Sequence, residues 1–363
     1  MKRCSILMLT LFLFFFTLLG TNHNQPVQTR VDHTFIKKII TNKDNGFSGG
    51  DGAISIDLRD GRSLFLWGDS FIGKTENNKR DSSNPLIVGN IHTTLNNNTS
   101  ITYFKGDTQT PKPFFETKPI DNYPTFLWPA HGFVNNNILH LFYHITIKTG
   151  KGAWDFEWVG IEYFRVNPTN FNILSQQRIT TNEVNDIHLG FGFLVEDNEV
   201  YLYGTKMNNH LGELYVAKTS LINNSLSNFQ FFDGERWTPN AKQAKPMKGL
   251  DIGISEQFSI FKYQNQYILV SQERGIGTDK IFTFTTNQPN GIWKNKKLIY
   301  TTPESRLNKD LYTYNAMAHP QYINKSQLLI SYCVNTHTFT NLYNDVSIYR
   351  PRFLWVSLID ILN

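Results

Sequence analysis

Cysteine is almost absent from this chain. Two of the 363 residues are Cys, Cys4 and Cys333. Cys4 lies in an N-terminal leader, so Cys333 stands alone in the mature chain and no internal disulfide can form. That excludes the small disulfide-stapled scaffolds and leaves stability to a hydrophobic core. No cysteine follows the leader's apolar run, which argues against a lipid-anchored protein. No apolar run reaches the roughly 20 residues of a membrane span. Charge of one sign is also scarce. The net +5 is scattered, and Lys294, Lys296 and Lys297 form the nearest thing to a cluster. That is the pattern of a solvated loop, and nucleic acid is not an expected partner. Sustained 3.6-residue periodicity is missing, so long helices are not expected. The dinucleotide fingerprint Gly-x-Gly-x-x-Gly is missing too, which counts against NAD-dependent enzymes. Neither a catalytic metal nor any other cofactor is expected.

The leader itself is informative. Lys2 and Arg3 precede the apolar run Ser5–Leu19, and Gly20, Thr21 and Asn22 follow. This reads as a secretory signal peptide over residues 1–22. The mature protein is therefore expected outside the cytoplasm: secreted, periplasmic or at the cell surface, with no membrane span after cleavage.

The remaining composition is that of a β protein. Aromatics make up 14% of the chain, with 28 Phe, 16 Tyr and 7 Trp beside 24 Gly. Such a load favours strands and tight turns. One stretch makes this concrete. Two apolar runs flank Arg59-Asp60-Gly61-Arg62, and Asp-Gly is a strong hairpin signal. Asp51 and Asp69 are equidistant from that turn, so they are expected opposite each other at the open end, on one face. The same pattern of apolar run, polar turn and apolar run recurs at residues 132–144, 192–204, 258–271 and 321–332. The second runs begin near Leu64, Leu139, Val200, Tyr267 and Leu328, at spacings of 75, 61, 67 and 61. Further strand-like runs follow each hairpin, and no Pro- or Ser-rich linker divides the chain. These features predict an all-β fold, a five-bladed β-propeller with four-stranded antiparallel blades, as a single domain over residues 30–363. The run Phe35–Ile40 is a candidate outer strand for the last blade, with Arg352–Leu358 as the alternative. A β-sandwich or two smaller β-domains would not space five hairpins so evenly.

In a propeller the start of strand one and the end of strand two face the same mouth of the channel. That gathers Asp51 and Asp69 from the first hairpin, His131 and His144 with Trp128 from the second, and His188 from the third. The fourth brings Glu256, Glu273 and Arg274, and the fifth His319 with Tyr314 and Asn315. Paired carboxylates beside aromatics suit glycosidic cleavage, in which one carboxyl protonates the leaving oxygen and the other attacks or activates water. Crowding separates their pKa values and so assigns the roles. Trp67, Trp128 or Trp158 could stack on sugar rings. Cys333 reads as core.

These residues resemble a known family. Asp51-Gly52-Ala53, followed by Leu64-Phe65-Leu66-Trp67-Gly68-Asp69-Ser70-Phe71, looks like the opening blade of secreted five-bladed propellers that long carried only a domain-of-unknown-function label. Further matches are Phe126–Ala130, Val200–Gly204, Phe231–Trp237, Ser255–Ser259, Pro289–Trp293, Tyr314–Pro320 and Tyr349–Phe353. The family is similar to the arabinanase and β-xylosidase superfamily of glycoside hydrolases and includes bacterial endo-D-arabinanases. Ser70 departs from the Thr expected there. The resemblance implies a sugar-cleaving pocket with Asp51 and Asp69 as catalytic carboxylates, in either order, and Glu256 as a third acid. Trp128, His131, His188, Arg274, Asn315 and His319 are then the expected substrate-binding set. The expected function is a secreted glycoside hydrolase, monomeric, on a polysaccharide or oligosaccharide such as an arabinan. The alternative is a non-catalytic sugar-binding propeller.

Overall fold

A computed structural model describes residues 26–41, 46–152, 155–209, 211–275 and 278–363. The leader, residues 1–22, lies outside them. The described chain is all-β, with helices no longer than the five residues of Phe35–Ile39 and Leu358–Leu362. All five hairpins are antiparallel pairs. Their tight turns use residues that tolerate positive φ, including Asn136 and Asn137, Asp197, Gln264, and Lys325 with Ser326.

Each hairpin opens an antiparallel sheet. The first sheet runs Ile54–Asp57, Ser63–Trp67, Ile91–Asn96, Thr99–Tyr103. The second runs Thr125–Asn135, Ile138–Lys148, Phe156–Val166, Ile173–Thr180. The third runs His188–Glu196, Glu199–Asn208, Leu211–Ile222, Ser225–Phe232 and adds Trp237–Thr238. The fourth runs Ser259–Tyr263, Gln266–Gln272, Lys280–Thr286, Lys294–Thr301. The fifth runs Leu311–Asn324, Gln327–Thr336, Arg352–Ser357, and is finished by Thr29–Asp32 from the other end of the chain. The first strands touch in order, 54–57 to 125–135 to 188–196 to 259–263 to 311–324, and the last returns to 54–57.

The core lies between neighbouring sheets, and strand periodicity explains how. Successive side chains point to opposite faces. In Ser63–Trp67 every residue is buried. Leu64 and Leu66 pack with Leu139, Leu141 and Tyr143 of the second sheet. Phe65 and Trp67 face the other way, into Leu329 and Phe353 of the fifth. Burying both faces requires apolar residues at nearly every position, which is why these strands read as continuous apolar runs. Each fully buried Leu or Phe contributes about 1.5–3 kcal/mol. Trp67 belongs to this core. It is fully buried, and its Nε1 donates to Thr93 Oγ1 at 2.9 Å, so it is no sugar platform.

Phe35–Ile40 is not the expected outer strand. Residues 35–39 form a helix, and the outer strand is Thr29–Asp32 against Arg352–Ser357. Asp32 makes the switch. Its Oδ1 accepts from the amides of Thr34 at 2.7 Å and Phe35 at 3.0 Å, turning the chain out of the strand. Phe35 and Ile39, four apart, then bury one helical face.

Three first strands carry a bulge at a similar height, between Pro129 and Gly132, Leu189 and Gly192, and Tyr314 and Met317. Bulges re-aim side chains beside functional sites. His131 and Asn315 lie inside two of them.

Candidate functional site

Asp51 and Asp69 do meet at the open end of the first hairpin. The Asp51 amide lies 3.4 Å from the Asp69 carbonyl, and the Gly68 amide donates to the Asp51 carbonyl at 3.0 Å. Gly68 is required here, because a Cβ at that position would fall on Asp51 Oδ1. Both carboxylates are half-buried. Asp51 Oδ2 accepts from the Tyr314 hydroxyl at 2.9 Å and the Tyr349 hydroxyl at 3.3 Å. Asp69 Oδ1 accepts from Trp128 Nε1 at 2.8 Å and the Gly89 amide at 3.0 Å.

Environment separates the two acids. Burial, and then the charge of Asp69, push Asp51 up to about 7 against the pull of its two phenol donors. Burial raises Asp69 as well, opposed by the Trp128 and Gly89 donors that favour its charged form. The charge of Asp69 thus helps to hold the proton on Asp51. Backbone strain surrounds Asp51. Ala53, Asn315 and Tyr349 have φ of 52°, 54° and 67°. A tyrosine in the left-handed region costs about 1–3 kcal/mol and persists only where its surroundings hold it.

A second acidic centre lies around Glu256, just ahead of the fourth sheet. Glu256 Oε1 bonds His188 Nδ1, and Oε2 pairs with an Arg274 guanidinium nitrogen at 2.7 Å. Burial alone would raise Glu256. The His188 hydrogen bond and the charges of His188 and Arg274 outweigh it and bring the carboxyl down to about 2. The Trp158 ring lies 4.0 Å from the His188 ring, centre to centre. The flanking residues tie this centre to the first one. Ser255 Oγ donates to Asn315 Oδ1 at 3.1 Å, next to Tyr314. Gln257 Nε2 donates to the Pro129 carbonyl at 3.3 Å, next to Trp128.

Glu256 supplies a stability prediction. Its folded pKa is depressed, so its contribution is present above the unfolded value near 4.5 and is lost as pH falls toward about 2. The full shift corresponds to about 3 kcal/mol. The three side chains are each about a quarter to a third exposed, and screening reduces this to about 1–2 kcal/mol. Glu256→Gln is expected to lose that amount in urea unfolding at pH 7 and nothing near pH 2. An equal loss at both pH values would show that packing, not charge, is responsible.

The remaining expected residues divide. Trp128 and Asn315 join the Asp51–Asp69 surroundings, and His188 and Arg274 join Glu256. His131 is half-buried within its bulge, where its Nδ1 accepts from the Gly132 amide at 2.7 Å, and burial takes it down to about 4. His319 is a correction. It is fully buried, with Nδ1 2.7 Å from Ser55 Oγ and Nε2 2.9 Å from Ser331 Oγ, so both ring nitrogens are used inside the core. His319 lies mid-strand in Leu311–Asn324. Cys333 is buried as expected, its Sγ accepting from the Gly52 amide at 3.2 Å. Tyr349 was not anticipated as a ligand of Asp51, although Tyr349–Phe353 carries part of the family resemblance. A polar cavity of about 440 Å³ beside Arg62, Gln321 and Tyr322 lies at the turn end of the first hairpin, away from both acidic centres.

Comparison with known proteins adds the following. A family model described as Domain of unknown function (DUF5005) matches residues 35–358. Among solved structures, a Bacteroides ovatus protein provisionally described as a hydrolase has a TM-score of 0.75 at 17% identity, covering 93% of this chain and 93% of its own. At that identity the likeness is one of fold. More distant are the β-1,2-mannobiose phosphorylase of Listeria innocua in complex with β-1,2-mannobiose, with a TM-score of 0.48 at 9% identity over 92% of this chain and 98% of its own, and an α-L-arabinanase mutant of Cellvibrio cellulosa, with 0.46 at 10% over 84% and 91%. No curated protein matches the chain.

Proposed function

The chain belongs to the family described as Domain of unknown function (DUF5005), and from its carboxylate pair we propose that it is a glycoside hydrolase built on a single-domain five-bladed β-propeller. The unbroken succession of first strands around five sheets supports the propeller. The observation that carries the activity is the pairing of Asp51 with Asp69 at one mouth of that ring, in unequal surroundings: burial raises both carboxyls, and the charge of Asp69 raises Asp51 further. Glycosidic cleavage needs that asymmetry.

In this reading Asp51 is the general acid. At neutral pH and below it protonates the glycosidic oxygen as the bond to the anomeric carbon breaks. Asp69, held charged by Trp128 and Gly89, faces the developing oxocarbenium ion or activates the water that attacks it. Tyr314 and Tyr349 hold Asp51 Oδ2, which leaves Oδ1 to carry the proton. Trp128 offers an aromatic face next to the pair. Glu256, His188, Arg274 and Asn315 add polar contacts to sugar hydroxyls, and His131 borders them. The leader carries the protein out of the cytoplasm, where a polymeric glycan, with arabinan the first candidate, meets it. No helix among the described residues is long and apolar enough to cross a membrane.

The phenols give a pH prediction. The acid must keep its proton, so activity is expected to fall as pH rises through about 7. Each phenol stabilises the charged form of Asp51. Tyr349→Phe is therefore expected to raise the Asp51 pKa and move the alkaline limb of kcat/KM upward. A limb that stays fixed or moves down would contradict the assignment of Asp51 as the acid.

The same surfaces would serve a sugar-binding protein without chemistry. A glycan array followed by product analysis separates the readings: cleaved ends support the hydrolase, and retention of an intact glycan supports a binding module.

A further inference from the structure

We propose that His144, His188 and Glu256 form a site for one divalent transition-metal ion of the zinc type. The three residues come from the second sheet, the third sheet and the approach to the fourth, and their ligand atoms all lie within 4.8 Å of one another. Two imidazoles and one carboxylate supply three corners of a tetrahedral zinc and leave the fourth open to water or a sugar hydroxyl. Two nitrogen donors disfavour Ca²⁺ and Mg²⁺, which select oxygen.

The second shell is in place. His144 Nε2 donates to the Leu189 carbonyl at 3.0 Å, which fixes the tautomer and leaves Nδ1 with its lone pair. Arg274 holds Glu256 Oε2, and Oε1, which bonds His188 Nδ1, is the oxygen that turns to the ion. The Trp158 ring, 4.0 Å from His188 and 5.6 Å from His144, closes one side with an apolar wall. A tetrahedral ion with bonds near 2 Å sets its ligands about 3.3 Å apart. The ligand atoms, none more than 4.8 Å apart, reach that spacing by side-chain adjustment. The hydrogen bond between His188 and Glu256 then opens, and the His188 ring presents a lone pair in its place. Arg274 opposes a second positive charge, so this site trades affinity for a fixed carboxylate.

The test needs no substrate and is independent of the glycan reading. The purified mature chain is stripped with chelator, dialysed against submillimolar Zn²⁺, and its bound zinc counted. Co²⁺ is then substituted and its visible absorption recorded. One zinc per chain and a tetrahedral cobalt spectrum are expected. His188→Gln and Glu256→Gln are each expected to weaken binding by at least about tenfold, and Arg274→Gln to tighten it. His188 is about a quarter exposed, so its variant reads the site even if a change at buried His144 prevents folding. No stoichiometric zinc in the wild type, or equal zinc in His188→Gln and Glu256→Gln, overturns the proposal.

Discussion

Asp51→Asn is expected to reduce glycan cleavage by about 10³-fold or more while leaving a folded chain that is more stable than the wild type at pH 8. The loss follows from the proton. Asn has none to give to the leaving oxygen, and general acid catalysis contributes about 10²–10⁴-fold. The gain follows from linkage. Asp51 ionises near its ordinary value in the unfolded chain but only near 7 in the fold. Stability therefore falls as pH rises from about 4 to about 7, and the penalty persists above that. Removing a half-buried charge beside Asp69 recovers about 1–3 kcal/mol above pH 7 and nothing below pH 4. Tyr314 and Tyr349 still find an acceptor in the Asn carbonyl, so no buried donor is orphaned. Asp69→Asn is expected to lose activity to a similar degree. Calorimetry at pH 4 and pH 8 beside a cleavage assay checks both halves. A destabilised Asp51→Asn at pH 8 would show that the pair is held by attraction through a shared proton rather than by the surrounding fold.

Arg80→Met is expected to cost about 3–5 kcal/mol and to disturb the site from a distance. Arg80 is 3% exposed and lies over the Phe71 ring, 4.9 Å from its centre. It donates to the carbonyls of Leu342, Ile348, Ser48 and Val346. Met can fill the space but cannot donate, so several buried acceptors lose their partner at about 1–3 kcal/mol each, with partial relief from water. These carbonyls lie on the segment that ends in Tyr349 and on the strand Phe47–Gly50 that leads into Asp51. Arg80 is therefore the clamp that lets Tyr349 keep its positive φ and reach the Asp51 carboxylate. Urea unfolding measures the cost. A loss below about 1 kcal/mol would mean that the loop is held by its other contacts.

How far these features can be read in the sequence depends on their range. The hairpins are legible because turn chemistry and alternation are local: Asp60-Gly61 and Asn136-Asn137 mark turns without knowledge of the rest. The opposition of Asp51 and Asp69 follows from counting outward from one of those turns. The helix at Phe35–Ile39 escapes because five residues carry barely more than one turn of periodicity, and its cause, Asp32 bonding the amides ahead of it, looks like any acidic loop residue. The bulges escape as well. An extra residue in a long strand leaves no mark beyond a Gly, and it shifts which side chains face the mouth. His319, beyond the bulge at Tyr314 and Met317, sits in the core between Ser55 and Ser331. Tyr349 and Asp51 are 298 positions apart, and His144 and His188 belong to different sheets while Glu256 lies ahead of a third. Such partnerships are made by contact between sheets and have no local spacing to betray them.

The central claim is that Asp51 and Asp69 together break a glycosidic bond. The most direct measurement is the release of new reducing ends from a panel of furanoside and pyranoside polysaccharides, arabinan first, by equal amounts of the wild type, Asp51→Asn and Asp69→Asn. The prediction is release from at least one glycan by the wild type and almost none by either variant. A glycan cut equally by all three proteins, or a panel that the wild type leaves intact, would contradict it.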